Sequence, residues 1–149
     1  MRNNSDPITI LMADDDPDDR LLVQEAFEEN RLMNCLETVA DGEELMDFLH
    51  RRGKFEGSTV MPGLILLDLN MPRKSGLEAL REIKSDEKLR RLPVVILTTS
   101  KAEEDIVRSY DLGVNSFIVK PVTFDSLVEL VKDLDKYWFQ IVELPTVEI

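Results

Sequence analysis

A chain of 149 residues, 43% of them apolar, has room for one domain with a substantial core and is not a disordered tail. Its 30 acidic residues outnumber 18 basic ones, leaving a formal charge of -12. Such a surface repels phosphate backbones and anionic lipid heads, so neither nucleic acid nor membrane is expected as a partner.

Ile8-Thr9-Ile10-Leu11-Met12-Ala13 is an apolar run of strand length that ends abruptly in Asp14-Asp15-Asp16-Pro17. Asp16 followed by Pro17 has the form of an N-cap with proline in the first helical turn. Leu21, Leu22, Ala26 and Phe27 continue at helical spacing. Leu36 to Ala40 reads as a second strand, broken by Asp41-Gly42, and Leu45, Met46, Phe48 and Leu49 mark a second helix. Residues 51–63 are polar and glycine-bearing, the pattern of a long loop. Leu64-Ile65-Leu66-Leu67 is apolar throughout, as in a strand buried on both faces. A helix over Gly76 to Ser85, a strand over Val94 to Leu97 and a helix over Ala102 to Leu112 follow. A short strand over Ser116 to Val119 and a long helix capped by Thr123 complete the chain.

Apolar strands alternating with helices predict an α/β fold, with a parallel sheet covered on both faces. We expect one domain over 1–149, with a core at about 8–140 and a C-terminal extension at 141–149. No apolar run is long enough to span a bilayer, and Met1 to Pro7 contains no signal-peptide core, so a cytoplasmic location is expected. Cys35, the only cysteine, sits in an apolar stretch and reads as a buried structural thiol.

In an open parallel sheet, ligands bind outside the C-terminal strand edges. The predicted strands end in Asp14 and Asp15, in Asp68, in Thr98 with Thr99 and Ser100 behind it, and in Lys120-Pro121. Three carboxylates brought together repel one another unless a cation sits among them. A hard divalent ion such as Mg²⁺ answers that need with oxygen ligands. With a lysine and a hydroxyl nearby, the set suits a phosphoryl group, and a carboxylate can accept it as an aspartyl phosphate. Each piece has a plainer reading. An acidic triplet is often a solvated helix start, and a lone lysine is usually on the surface. Asp14, Asp16, Asp18 and Glu25 fall at calcium-loop positions, but Asp19 stands where that loop needs glycine and a strand precedes it. His50, the only histidine, ends a helix in a charged stretch and reads as surface; a histidine-rich zinc site is excluded.

Taken in order, Asp14-Asp15, Asp68 with Met71-Pro72 and Gly76, Thr98, and Phe117-Ile118-Val119-Lys120-Pro121 resemble the response-regulator receiver domain of two-component signalling. The resemblance covers nearly the whole chain. It implies the flavodoxin-like, CheY-like fold, five parallel strands in order 2-1-3-4-5. It implies Asp68 as phosphoacceptor, and Mg²⁺ held by Asp15, Asp68 and the Asn70 carbonyl, with Asp14 acting through water. Lys120 would pair with the acyl phosphate, and the Lys120–Pro121 bond would be cis. Thr98 and Phe117 would be the switch pair that converts phosphorylation into a changed surface. The implied function is a response regulator that takes its phosphoryl group from a sensor histidine kinase and hydrolyses it slowly, without being an enzyme toward external substrates. The alternatives are a relay that passes the group to a histidine phosphotransfer protein, and an aspartate-nucleophile phosphatase, for whose cap domain no length remains. The long 51–63 loop and the segment from Tyr137 to Pro145 resemble the single-domain regulators paired with bacterial and cyanobacterial phytochromes. Adjacent Tyr137, Trp138 and Phe139 cannot all face inward on a helix, so a homodimer through the last helix and tail is expected.

Overall fold

The computed structural model describes residues 8–69, 71–98, 116–121 and 123–136, with the side chains of Thr98, Ser116 and Phe117 outside the described set. The helix expected over 102–112 and the aromatic tail also lie outside it. Strands β1 (Ile10–Ala13), β2 (Leu36–Val39), β3 (Leu64–Asp68), β4 (Val94–Thr98) and β5 (Ser116–Val119) form one parallel sheet in the order β2-β1-β3-β4-β5. The order reverses between β1 and β3, the position where such sheets open a crevice.

Four helices surround the sheet among the described residues: α1 (Pro17–Glu29), α2 (Gly42–His50), α3 (Gly76–Ser85) and α4 (Phe124–Leu134). Each starts on a side chain from its own sequence. Asp16, Asp41, Ser75 and Thr123 accept the amides of Asp18, Glu44, Glu78 and Ser126 respectively. Asp41 thus opens α2 as well as closing β2. α1 also carries the expected proline at its start.

Side chains alternate along a strand, so each strand feeds two cores. Leu11, Ala13, Ile65, Leu67, Val94 and Ile96 pack with α2 and α3. Ile10, Met12, Leu64, Leu66, Val95 and Leu97 pack with α1 and α4. α1 and α4 are tied directly, because Asn30 Nδ2 donates to the Val128 carbonyl at 3.0 Å.

Two expectations need correction, and a third gains detail. Cys35 is exposed: it precedes β2, which is an edge strand, and its thiol lies 3.6 Å from the Glu37 carboxylate. An apolar neighbourhood in sequence does not reveal which strand will be at the edge. The 51–63 segment is the long loop expected, with local structure of its own. It contains a 3-10 turn at Gly53–Phe55, and Phe55 meets Phe48 edge-to-face with ring centroids 5.0 Å apart. The Lys120–Pro121 bond is trans, as no peptide bond among the described residues is cis. Trans is the intrinsically favoured isomer, by about 0.5–1 kcal/mol, and Lys120 reaches its carboxylate partners with it.

Candidate functional site

Register puts the strand ends level. Ala13 pairs with Leu67, Asp68 with Leu97, and Thr98 with Val119. Asp14, Asp68, Thr98 and Lys120 therefore end or follow their strands at one edge of the sheet. Parity then chooses the face. Asp14 is two residues beyond Met12, Asp68 two beyond Leu66, and Lys120 two beyond Ile118, all of which face α1 and α4. The three polar groups consequently meet on the side roofed by the first turn of α1.

Their distances are those of an ion cluster. Lys120 Nζ lies 2.8 Å from Asp14 Oδ2, 3.0 Å from Asp19 Oδ2 and 3.4 Å from Asp68 Oδ2. Asp14 has no exposed side-chain surface and Asp68 has 6%, whereas Asp15 is exposed. Asp14 is held from both sides, since its Oδ1 accepts the Asp16 amide at 3.0 Å while Oδ2 accepts Lys120. Burial pushes its carboxyl above the ordinary range, and the hydrogen bonds from Lys120 and the Asp16 amide oppose this without cancelling it. For Lys120, burial works against the charged form. The hydrogen bonds to Asp14 and Asp19 and the charge of Asp68 outweigh it, so the ammonium stays protonated well above its ordinary value.

Asp14, Asp15 and Asp68 each offer a carboxylate oxygen within 4.8 Å of the others. Hard oxygen donors at that spacing, with one of them open to solvent and a single ammonium against four carboxylates, fit a divalent cation. Both Asp14 oxygens already accept protein hydrogen bonds, whereas Asp15 is exposed to solvent. Asn70 and the side chains of Thr98 and Phe117 fall outside the described residues.

Sequence reasoning assigned no role to Asp19, which reads as one more acid in a helix start. A signal was available. Val23 and Phe27 on the buried stripe of α1 stand four and eight residues after Asp19, so the helix turns Asp19 toward the sheet and the site. The Gly76 assignment gains a reason. A Cβ there would stand 2.1 Å from the Asp68 carbonyl oxygen, and the Gly76 amide donates to the Leu69 carbonyl at 3.0 Å. The chain after β3 can pass beneath Asp68 only without a side chain.

This geometry agrees with what the chain resembles. Response regulator Rcp1 of Synechocystis sp. is 41% identical over 139 residues, spanning 93% of this chain and 94% of that protein. The phosphorylated cyanobacterial phytochrome response regulator RcpA superposes with a TM-score of 0.84 at 42% identity, over 93% of this chain and 99% of that one. The Mn²⁺-bound form of Rcp1 gives a TM-score of 0.83 at 41% identity, over 94% of this chain and all of that one. A family model for the response regulator receiver domain matches residues 10–132, and the chain belongs to that family.

Proposed function

We propose that Asp68 accepts a phosphoryl group from a histidine of a partner kinase, in a reaction that depends on a divalent cation. The observation that carries this is the arrangement around Asp68. It is a nearly buried carboxylate at the end of β3, with two further carboxylates within 4.8 Å and an ammonium at 3.4 Å. A cation, Mg²⁺ in this reading, would be held by Asp15 and Asp68 with the Asn70 carbonyl, and by Asp14 through water. When bound it supplies charge neutralisation for the anionic oxygens of the entering group. An Asp68 oxygen then forms a bond to phosphorus as the phosphorus–nitrogen bond to the donor histidine breaks, giving an acyl phosphate. Lys120, 3.4 Å from Asp68, would donate a hydrogen bond from its ammonium to a phosphoryl oxygen there, and burial of the site would make that contact strong. The donor is another protein. The only histidine, His50, closes α2 beside Asp86, at the end of that helix away from the Asp68 edge.

In this reading Thr98 contributes a hydroxyl to the phosphoryl oxygens, and Phe117 responds as the switch partner. Similarity to RcpA supports a phytochrome-type sensor kinase as the donor, with the chain in the cytoplasm beside it. Intact mass after incubation with Mg²⁺ and acetyl phosphate, or with such a kinase and ATP, tests the acceptor. One phosphoryl group is expected, absent in Asp68→Asn and absent when the cation is chelated. An adduct that persists in Asp68→Asn overturns the assignment.

The reading extends to one receiver domain across the chain and to a homodimer through α4 and the tail. Val119 at the end of β5 and Phe124 at the start of α4, both exposed apolar residues, support the dimer. Light scattering is expected to show a dimer mass that depends on concentration or on phosphorylation. A monomer mass under every condition rules the dimer out.

A further inference from the structure

We propose that Arg20 is a positioning residue for the cation: by holding the Asp14 carbonyl it fixes where Asp15 stands, and so tightens cation binding although its own charge opposes it. The proposal rests on the reading of a cation held by Asp15 and Asp68, and goes beyond it to a residue with no part in that reading.

Asp14 and Asp15 reach the site by different means. Asp14 is held at every polar atom. Its amide donates to the Val39 carbonyl at 3.1 Å, its Oδ1 accepts the Asp16 amide and its Oδ2 accepts Lys120. Its carbonyl accepts Arg20 Nη1 at 2.6 Å. Asp15 is exposed, and among the described residues it makes no hydrogen bond or ion pair. Its carboxylate nevertheless comes within 4.8 Å of those of Asp14 and Asp68. A side chain with no partner of its own takes its place from the backbone that carries it.

Arg20 grips that backbone on both sides of Asp15. Its main-chain N–H donates to the Asp16 carbonyl at 3.1 Å, while its guanidinium donates to the Asp14 carbonyl. The Asp14 carbonyl belongs to the planar peptide unit that enters Asp15, so its direction constrains where the Asp15 side chain leaves the chain. A guanidinium donor makes this bond charge-assisted and strong. Arg20 is half-buried and, among the described residues, forms no ion pair, in a chain with 30 acidic residues. Its charge is spent on a backbone carbonyl rather than on a carboxylate.

Charge and position predict opposite signs for the loss of Arg20. A guanidinium near the site repels a cation, so removing its charge alone would strengthen binding. Releasing the Asp14–Asp15 peptide would weaken it, because an oxygen donor that must first be ordered binds less tightly. Groups that orient a metal's direct donors are commonly worth about 10- to 100-fold in affinity. The lost repulsion offsets part of that, and the net expectation is binding about tenfold weaker.

The test is isothermal titration calorimetry of the full, unphosphorylated chain with Mg²⁺ and with Mn²⁺. Arg20 belongs to neither apolar core, so its variants are expected to fold. Arg20→Met, which keeps a stem but loses the donors and the charge, should raise the Kd about tenfold. Arg20→Lys, which keeps a charge and a donor without the planar fork, should bind between Arg20→Met and wild type. The Mg²⁺ concentration that half-saturates phosphoryl uptake from acetyl phosphate should rise in the same order. An Arg20→Met chain that binds as tightly as wild type, or more tightly, overturns the proposal. So does an Arg20→Lys chain that binds no more tightly than Arg20→Met. A wild-type chain that binds neither ion removes the cation reading itself, and the role of Arg20 with it.

Discussion

Lys120→Met should destabilise the protein by about 2 kcal/mol at neutral pH in chelator, because it leaves the fully buried Asp14 carboxylate without its cation. The loss is smaller than for a sealed ion pair, since removing the lysine also removes an ammonium that burial disfavours. The cost should depend on pH, and the sign follows from the two groups. Burial raises the folded pKa of Asp14 above 3.8, so the fold prefers its protonated form. Stability associated with that group is complete below the unfolded value and is lost as pH rises through the raised one. Lys120 is held above 10.5, so its contribution is present throughout the acid and neutral range and is lost only at higher pH. The penalty of Lys120→Met should therefore be small where Asp14 is protonated and grow as pH rises toward neutrality. Urea unfolding of both proteins across that range measures it. Equal midpoints at neutral pH, or a penalty as large in acid, would contradict the account. Phosphoryl uptake should also slow by about 100- to 1000-fold, the scale of losing one preorganised electrostatic contact.

Gly76→Ala should be the most damaging single methyl in the site. The added carbon would sit 2.1 Å from the Asp68 carbonyl oxygen and 2.7 Å from the Leu69 Cα, both backbone atoms that cannot turn aside. Either the hydrogen bond from the Gly76 amide to Leu69 breaks or the end of β3 moves. We expect a loss of about 3 kcal/mol from overpacking. We also expect a drop of about 100-fold in phosphoryl uptake if Asp68 shifts by about 1 Å. Gly57→Ala is the control. Nothing lies within 4 Å of a Cβ there, though its φ of +85° makes alanine unfavourable by about 1 kcal/mol. That variant should unfold slightly more easily and take up phosphate at the wild-type rate. Equal behaviour of the two variants in both assays would refute the close-approach argument.

Much of the fold was legible because strong local signals coincide. The unbroken Leu64 to Leu67 run marks a buried strand, and Asp16-Pro17 and Thr123 mark helix starts that the structure uses. The site was legible to the extent that it lies at strand ends, which sequence locates without knowing the packing. Asp14, Asp68 and Lys120 were found in that way. What failed to show was whatever depends on neighbours across the sheet or on helix rotation. Cys35 looked buried because its apolar neighbours were weighed without the edge position that the order 2-1-3-4-5 gives β2. Asp19 was not singled out because its contact with Lys120, 101 residues away in sequence, comes from the packing of α1 beside the end of β5. Lys120 was assigned to a phosphoryl oxygen, but in the unphosphorylated chain its nearest partners are Asp14 and Asp19.

The central claim concerns one atom group, the carboxylate of Asp68, and chemistry can mark it directly. An acyl phosphate is reduced by borohydride, which converts the modified aspartate to homoserine, while ionised carboxylates and phosphohistidine do not give that product. The chain would be phosphorylated with acetyl phosphate and Mg²⁺, reduced, digested and sequenced by tandem mass spectrometry. Homoserine at position 68, and at none of Asp14, Asp15 or Asp19, is the expected result. Homoserine at one of those three instead, or phosphate retained on His50, would contradict the account.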